Sequence, residues 1–186
     1  MKFSVLHSGV VAVCFLALML LIAMKVETDA ARTFNGRYRV ADGDSLSLGH
    51  DRLRLLGIDA PELKQTCRRD GEVWRCGEAA RQTLASLVEG RAVMCKGDRK
   101  DKYQRMLVTC RDGDININRQ MVRRGMAFSF GDYQRDEDAA KSAHIGLWSG
   151  KVERPSDWRR THAHSAAMED EGPHLPSFFQ RLFGGQ

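Results

Sequence analysis

Three short stretches of the chain gather acids and arginines: Asp42-Gly43-Asp44-Ser45, Arg54-Leu55-Leu56-Gly57-Ile58-Asp59-Ala60-Pro61-Glu62 and Asp101-Lys102-Tyr103-Gln104-Arg105. Hydrolysing a phosphodiester takes oxygens for a hard cation, an acid beside the attacking water and planar cations for the phosphate. The three stretches supply each of these. Asp44 and Asp59, joined by a backbone carbonyl, make a partial oxygen cage of the kind calcium accepts. Glu62 lies three residues past Asp59, stiffened by Pro61, where it can take a proton from water. Arg54 and Arg105 can fork onto phosphate oxygens, a two-point contact that lysine does not reproduce.

Taken singly, each residue has a plainer reading. An Asp-Gly pair is ordinary turn chemistry, Asp59 to Glu62 can simply end a strand, and Arg105 can be a surface charge. Arg54 is harder to dismiss, because an arginine inside an apolar strand needs a partner. Only convergence in one place outweighs the separate readings.

The elements that must bring them together follow from the pattern. Gly36 to Leu48 alternates in the strand manner through Tyr38, Val40, Leu46 and Leu48, across a turn at Asp42-Gly43-Asp44. Gly49-His50-Asp51 reads as a hairpin turn and Leu53 to Ile58 as the return strand, stopped by Pro61. Residues 63–76 read as a polar loop pinned by two cysteines. Ala80, Leu84, Leu87 and Val88 recur at helical spacing between Glu78 and Glu89, with Gly90 after them. Strands follow at Arg91 to Lys96 and Met106 to Cys110, around a charged turn from Gly97 to Gln104. Asn118 is placed to cap a helix carrying Met121 and Val122, and a third helix runs from about Tyr133 to Ala143. Leu147 and Trp148 then plug apolar surface. Five short strands with three helices packed outside suggest an α+β fold, a small closed barrel of the oligonucleotide/oligosaccharide-binding type.

On these residues the chain resembles the staphylococcal nuclease (thermonuclease) family. The resemblance runs in order from about Gly36 to Gly150 and includes Gly146-Leu147-Trp148. It implies a five-stranded barrel with three helices and a calcium-dependent phosphodiesterase acting on DNA and RNA. By motif position, Asp44 and Asp59 match the metal carboxylates, and Ala60 matches a residue that binds metal through its carbonyl. Glu62 matches the acid that activates water. Arg54 and Arg105 match the phosphate arginines, while Lys102 and Tyr103 match residues on the substrate side. Ser45 stands in place of the usual threonine and keeps a hydroxyl. Ala60 replaces a threonine found in some members. Gln104 stands where the family usually has glycine, so a position with φ > 0 there would carry a cost and bear on the aim of Arg105.

The five cysteines include Cys14 within the leader, leaving Cys67, Cys76, Cys95 and Cys110. Four thiols in an exported chain read as two disulfides, with three connectivities open. Cys95 and Cys110 flank the hairpin centred on Lys102-Tyr103, which favours 95–110 with 67–76. Four free thiols are the alternative; a zinc site lacks a C-x-x-C pair.

Lys2 precedes an uncharged apolar run from Val10 to Met24. The run is shorter than the roughly 20 residues of a spanning helix and fits a secretory signal over residues 1–30, cut after Ala30. An uncleaved N-terminal anchor is the other reading. Net charge is +5, and the leader carries two bases (Lys2, Lys25) and two acids (Glu27, Asp29), so its removal leaves the balance unchanged. That favours polyanionic partners without choosing among them. Residues 151–160 read as an extension docking onto the 36–150 domain. Residues 161–186 read as a disordered tail with an apolar patch at Phe178 to Phe183.

The expectation is therefore a secreted or periplasmic monomer, with no integral membrane domain once the signal is cut, that hydrolyses single-stranded DNA or RNA with calcium. Two other classes stand beside it. Exported nuclease-like proteins with paired cysteines and a Trp-Arg-Arg element after the domain include one associated with succinoglycan gene clusters. That raises an accessory role in exopolysaccharide biosynthesis, among anionic polysaccharide. The third class is a non-catalytic barrel that binds single strands through its charge and Tyr103.

Overall fold

The computed structural model describes residues 2–28 and 31–170. The expected cut after Ala30 and the Phe178–Phe183 patch lie outside the described residues. α1 (Lys2–Thr28) is a single apolar helix. No helix among the described residues is long and apolar enough to cross a membrane.

The chain then builds a curled sheet. β1 (Arg32–Asn35), β2 (Arg39–Val40), β3 (Ser45–Leu48) and β4 (Asp51–Leu55) come first. Along β4, Leu53 and Leu55 are buried and Arg52 and Arg54 alternate with them on the other face, as a period of two requires. β5 (Ile58–Asp59) leaves this sheet. β8 (Met94–Lys100) and β9 (Met106–Asp112) follow the first packed helix, α2 (Cys76–Val88). The strand order is β1-β8-β9-β4-β3-β2. The pairs are antiparallel except β4 with β9, where Leu53 faces Met106 and Arg54 faces Leu107. That parallel pairing brings Arg105, just before β9, to the end of the sheet that carries Arg52 and Arg54.

The core lies inside the curl. Leu46, Leu53, Leu55 and Val108 from the sheet meet Ala80 and Leu84 of α2. α3 (Ile117–Arg123) adds Ile117, Met121 and Val122. β10 (Ile115–Asn116) pairs with β9, and β11 (Phe128–Ser129) pairs with β5, setting Phe128 opposite Asp59. α4 (Gln134–Ser142) packs on α3. A 3₁₀ turn at Gly146–Ser149 buries Leu147 and sets Trp148 edge-on to Phe128. The expected fold class stands: an α+β fold with a curled barrel-type sheet, α2 and α3 packed on it and α4 against α3.

Local differences from the sequence reading have local causes. Residues 63–76 are not a plain loop. They contain a hairpin, β6 (Cys67–Arg69) and β7 (Glu72–Trp74), turned by Asp70 and Gly71, both at positive φ. β8 runs on to Lys100 through an irregularity between Lys96 and Arg99, so the charged turn shrinks to Asp101–Arg105. Asn118 does not cap α3. Asn116 does, accepting from the Arg119 amide, while buried Asn118 accepts from the Cys110 amide and donates to Leu56 and Val108 carbonyls. It thereby closes the polar gap where β4 leaves β9.

Both disulfides are 67–76 and 95–110. Cys95 and Cys110 face each other in register across β8 and β9, and Cys67 ties β6 to the first residue of α2. Beyond the 3₁₀ turn, Lys151 exchanges two backbone hydrogen bonds with Arg68. α5 (Pro155–Asp170) then extends ten residues past the boundary expected at 160.

Candidate active site

The turn before β3 carries the most buried acid. Gly43 lies so close to Ala60 and to Ala80 of α2 that a Cβ there would overlap both. The chain is thereby pulled inward and Asp44 is left only 3% exposed. Its Oδ1 accepts from Arg54 Nη1 at 2.7 Å and from the Ser45 hydroxyl at 3.0 Å; its Oδ2 accepts from the Ala60 amide at 3.0 Å. The other terminal nitrogen of Arg54, Nη2, donates to Asp59 Oδ1 at 2.8 Å. One guanidinium therefore spans Asp44 and Asp59, the partner an arginine amid leucines was expected to need.

Burial pushes the Asp44 carboxyl up from 3.8 to about 7; Arg54 pulls it down, and the charges of Asp42 and Asp59 add to the rise. Carboxylates in such a setting are held in their charged form by nearby cations. Their donors are hard oxygens, the chemistry of calcium or magnesium rather than of a softer metal. Among the described residues no group of three or more His, Cys, Asp or Glu side chains is set to hold a metal. Asp44 and Asp59, bridged by Arg54, are the carboxylates gathered at this place in the fold.

Arg105, Tyr103 and Lys102 stand on the opposite lip. Asp101 organises that turn. Its Oδ1 accepts the amides of Tyr103 and Arg105, each at 2.9 Å, and its Oδ2 accepts Arg105 Nε at 2.7 Å. Burial would raise the Asp101 carboxyl, but these hydrogen bonds and the Arg105 charge hold it below the usual range. Gln104 takes the left-handed conformation at φ 63°. Arg105 nevertheless keeps a defined aim, because Asp101 grips its guanidinium directly. Tyr103 lies exposed beneath Lys102 and Arg105, 5.0 and 5.3 Å from their cations. Arg54, Glu62, Tyr103 and Arg105 all line one open cleft of about 630 Å³.

A model of the family described as "Staphylococcal nuclease homologue" matches residues 52–150, the stretch that carries Arg54, Asp59, Glu62 and Arg105. The chain belongs to the staphylococcal nuclease family. An uncharacterized endonuclease of Haemophilus influenzae is 34% identical over 134 residues, 66% of this chain and 70% of that protein. The succinoglycan biosynthesis protein ExoI of Rhizobium meliloti is 30% identical over 145 residues, covering 74% of this chain and 76% of its own. The probable staphylococcal-like nuclease CAN3 of rice is 35% identical over 116 residues, 59% of this chain but 28% of that one.

Within and beyond this nuclease-family domain, three further residues hold the cleft's side chains or backbone in place. Gln65, fully buried, accepts the Glu62 amide on its side-chain oxygen at 3.1 Å and donates to the Glu153 carbonyl at 2.8 Å. Nothing in the sequence sets this glutamine apart from its polar neighbours. Asp101 was signalled, since an aspartate two residues before Tyr103 and four before Arg105 is a side-chain turn motif. Arg159, outside the family match, pairs with Glu62 at 2.5 Å and with Asp59 at 3.4 Å. The Trp-Arg-Arg element was visible; its contact across 97 positions was not.

Proposed function

We propose that the protein is an exported, calcium-dependent phosphodiesterase that hydrolyses single-stranded DNA or RNA with low sequence specificity. One observation carries this reading: Glu62, Arg54 and Arg105 face one cleft while Arg54 holds Asp44 and Asp59 together behind it. A divalent ion held by Asp44, Asp59 and the Ala60 carbonyl would polarise the phosphoryl oxygen and offset the charge that grows there. Glu62, with its side chain partly exposed to the cleft, takes the proton of the attacking water. Arg54 and Arg105 bind the phosphate oxygens in the transition state, Arg105 on the aim Asp101 gives it. Lys102 and Tyr103 hold the flanking strand through charge and stacking. The lining suits phosphate and a ring face more than base edges, so low specificity is expected.

Two disulfides favour an oxidising compartment, the periplasm or the exterior. A monomer is the working state. The test is digestion of labelled single-stranded DNA by the purified protein. Calcium should support cleavage, a chelator should abolish it, and Glu62→Gln should lower kcat by about 10³-fold while oligonucleotide binding persists. Tight binding without cleavage by the wild type would make it a binding module.

The likeness to ExoI favours a second reading, an accessory role in exopolysaccharide production. An altered polymer in a deletion strain, restored by Glu62→Gln as fully as by the wild type, would support that role over the nuclease.

A further inference from the structure

Besides Arg52, Arg54 and Arg105, the cleft receives a guanidinium from outside the matched family domain. Arg159 of α5 donates through Nη1 to Glu62 Oε1 at 2.5 Å, and both its terminal nitrogens lie 3.4 Å from Asp59 oxygens. It lines the same cleft as Arg54 and Arg105. The next residue, Arg160, pairs within the helix with Asp157 and is largely exposed. Of these two arginines, Arg159 is the one that presents its cation to Glu62 and Asp59.

α5 is not built as a lid. Lys151 is laddered to β6 by two backbone hydrogen bonds, and the Glu153 carbonyl is held by Gln65. Arg154 lies over the Phe128 ring at 5.1 Å, and Pro155 is buried. The helix start is fastened to the barrel, and the long side chain is the part free to move. Arg159 is 45% exposed, and its contacts to Asp59 are long. A half-exposed ion pair of this kind is weakly held, and phosphate oxygens match the guanidinium fork as well as a carboxylate does.

We propose that Arg159 is a phosphate-binding residue of the site: it leaves Glu62 and Asp59 for a phosphodiester of the bound strand. The exchange does two things at once. It adds a fork to the anion, and it frees the acid that must accept a proton. An arginine that stayed on Glu62 would occupy the carboxylate oxygen that the attacking water must reach. The inference rests on the nuclease reading for its ligand, a single-stranded nucleic acid, but its test needs no catalysis.

Binding of a short fluorescein-labelled oligothymidylate is measured by anisotropy in chelator-containing buffer across a salt series. The proteins are the wild type, Arg159→Ala, Arg159→Lys and, as a control, Arg160→Ala. Arg159→Ala should bind about tenfold more weakly, with the slope of log K against log salt smaller by about 0.7, the loss of one phosphate contact on a single strand. Arg159→Lys should recover the salt slope but only part of the affinity, and Arg160→Ala should match the wild type. Calcium affinity, read by calorimetry without nucleic acid, should be equal or tighter in Arg159→Ala, because a competing cation has left Asp59. Unchanged oligonucleotide affinity and slope in Arg159→Ala would overturn the inference, leaving Arg159 only a counter-ion to the acids. If the wild type still cleaves DNA with calcium, the nuclease reading survives that outcome. A wild type that binds no oligonucleotide would overturn the inference, and one that also fails to cleave with calcium would overturn the nuclease reading.

Discussion

Gln65 holds Glu62 by its backbone, accepting the amide at 3.1 Å on a side chain with no exposed surface. Through its other end it holds Glu153, so the proposed general base and the segment leading into the C-terminal helix share one fastening. Gln65→Met keeps the volume and strands the Glu62 amide and the Glu153 carbonyl. A loss of about 2–3 kcal/mol in urea unfolding is expected, with a fall in kcat larger than any change in KM.

Gly77, the second residue of α2, lies against the Glu62 carbonyl, where an added Cβ would overlap the oxygen. The obstacle is backbone and cannot rotate away. Gly77→Ala should therefore displace Glu62, lowering kcat by about 10²-fold for a stability loss of about 1–3 kcal/mol. Paired cleavage and melting measurements separate the two effects. A stability loss with kcat unchanged in the folded variant would show that the glycine serves the core rather than the acid.

Gln104 occupies a left-handed position, φ 63°, at the tip of the Asp101–Arg105 turn. Gln104→Gly should raise stability by about 1 kcal/mol in thermal unfolding. Activity should hold near the wild-type level, since Asp101 rather than Gln104 directs Arg105.

Glu137 of α4 is buried, with its Oε2 accepting the Ser129 amide at 2.6 Å and its Oε1 paired with Lys141. Burial alone would raise its carboxyl, but Lys141 and the Ser129 amide bring it below the usual 4.5. A depressed carboxyl contributes its stability above that usual value and loses it as pH falls through the folded one. Glu137→Gln should be less stable by about 2 kcal/mol at neutral pH, and the gap should narrow below about pH 4.5. Melting temperatures at several pH values read this directly. Ser129 pairs with β5 beside Asp59, so the variant should also weaken calcium binding.

The site residues were legible because their neighbours constrain them. Arg54 lies between Leu53 and Leu55, which must face inward, so its charge had one other face to use and needed acids there. Cys95 and Cys110 flank a hairpin, and strand register set them opposite each other. Asn118 was misread because two asparagines stand two positions apart, and the choice of cap depends on which one the strand beside it needs. The β6–β7 hairpin was hidden because its strands are short and carry little apolar alternation; Asp70-Gly71 was its one sign. Gln65 and Arg159 were illegible for a different reason. Each acts across the fold on a residue or segment far away in the chain, and no local pattern records such a contact.

The bond between Cys67 and Cys76 ends one residue from Gly77. The covalent cross-link thus reaches the floor beneath Glu62, whereas Cys95–Cys110 lies within the sheet. The strand-to-strand bond braces the sheet, and the shorter loop braces the backbone on which Glu62 rests. Opening Cys67–Cys76 alone is therefore expected to disturb the cleft before it disturbs the barrel.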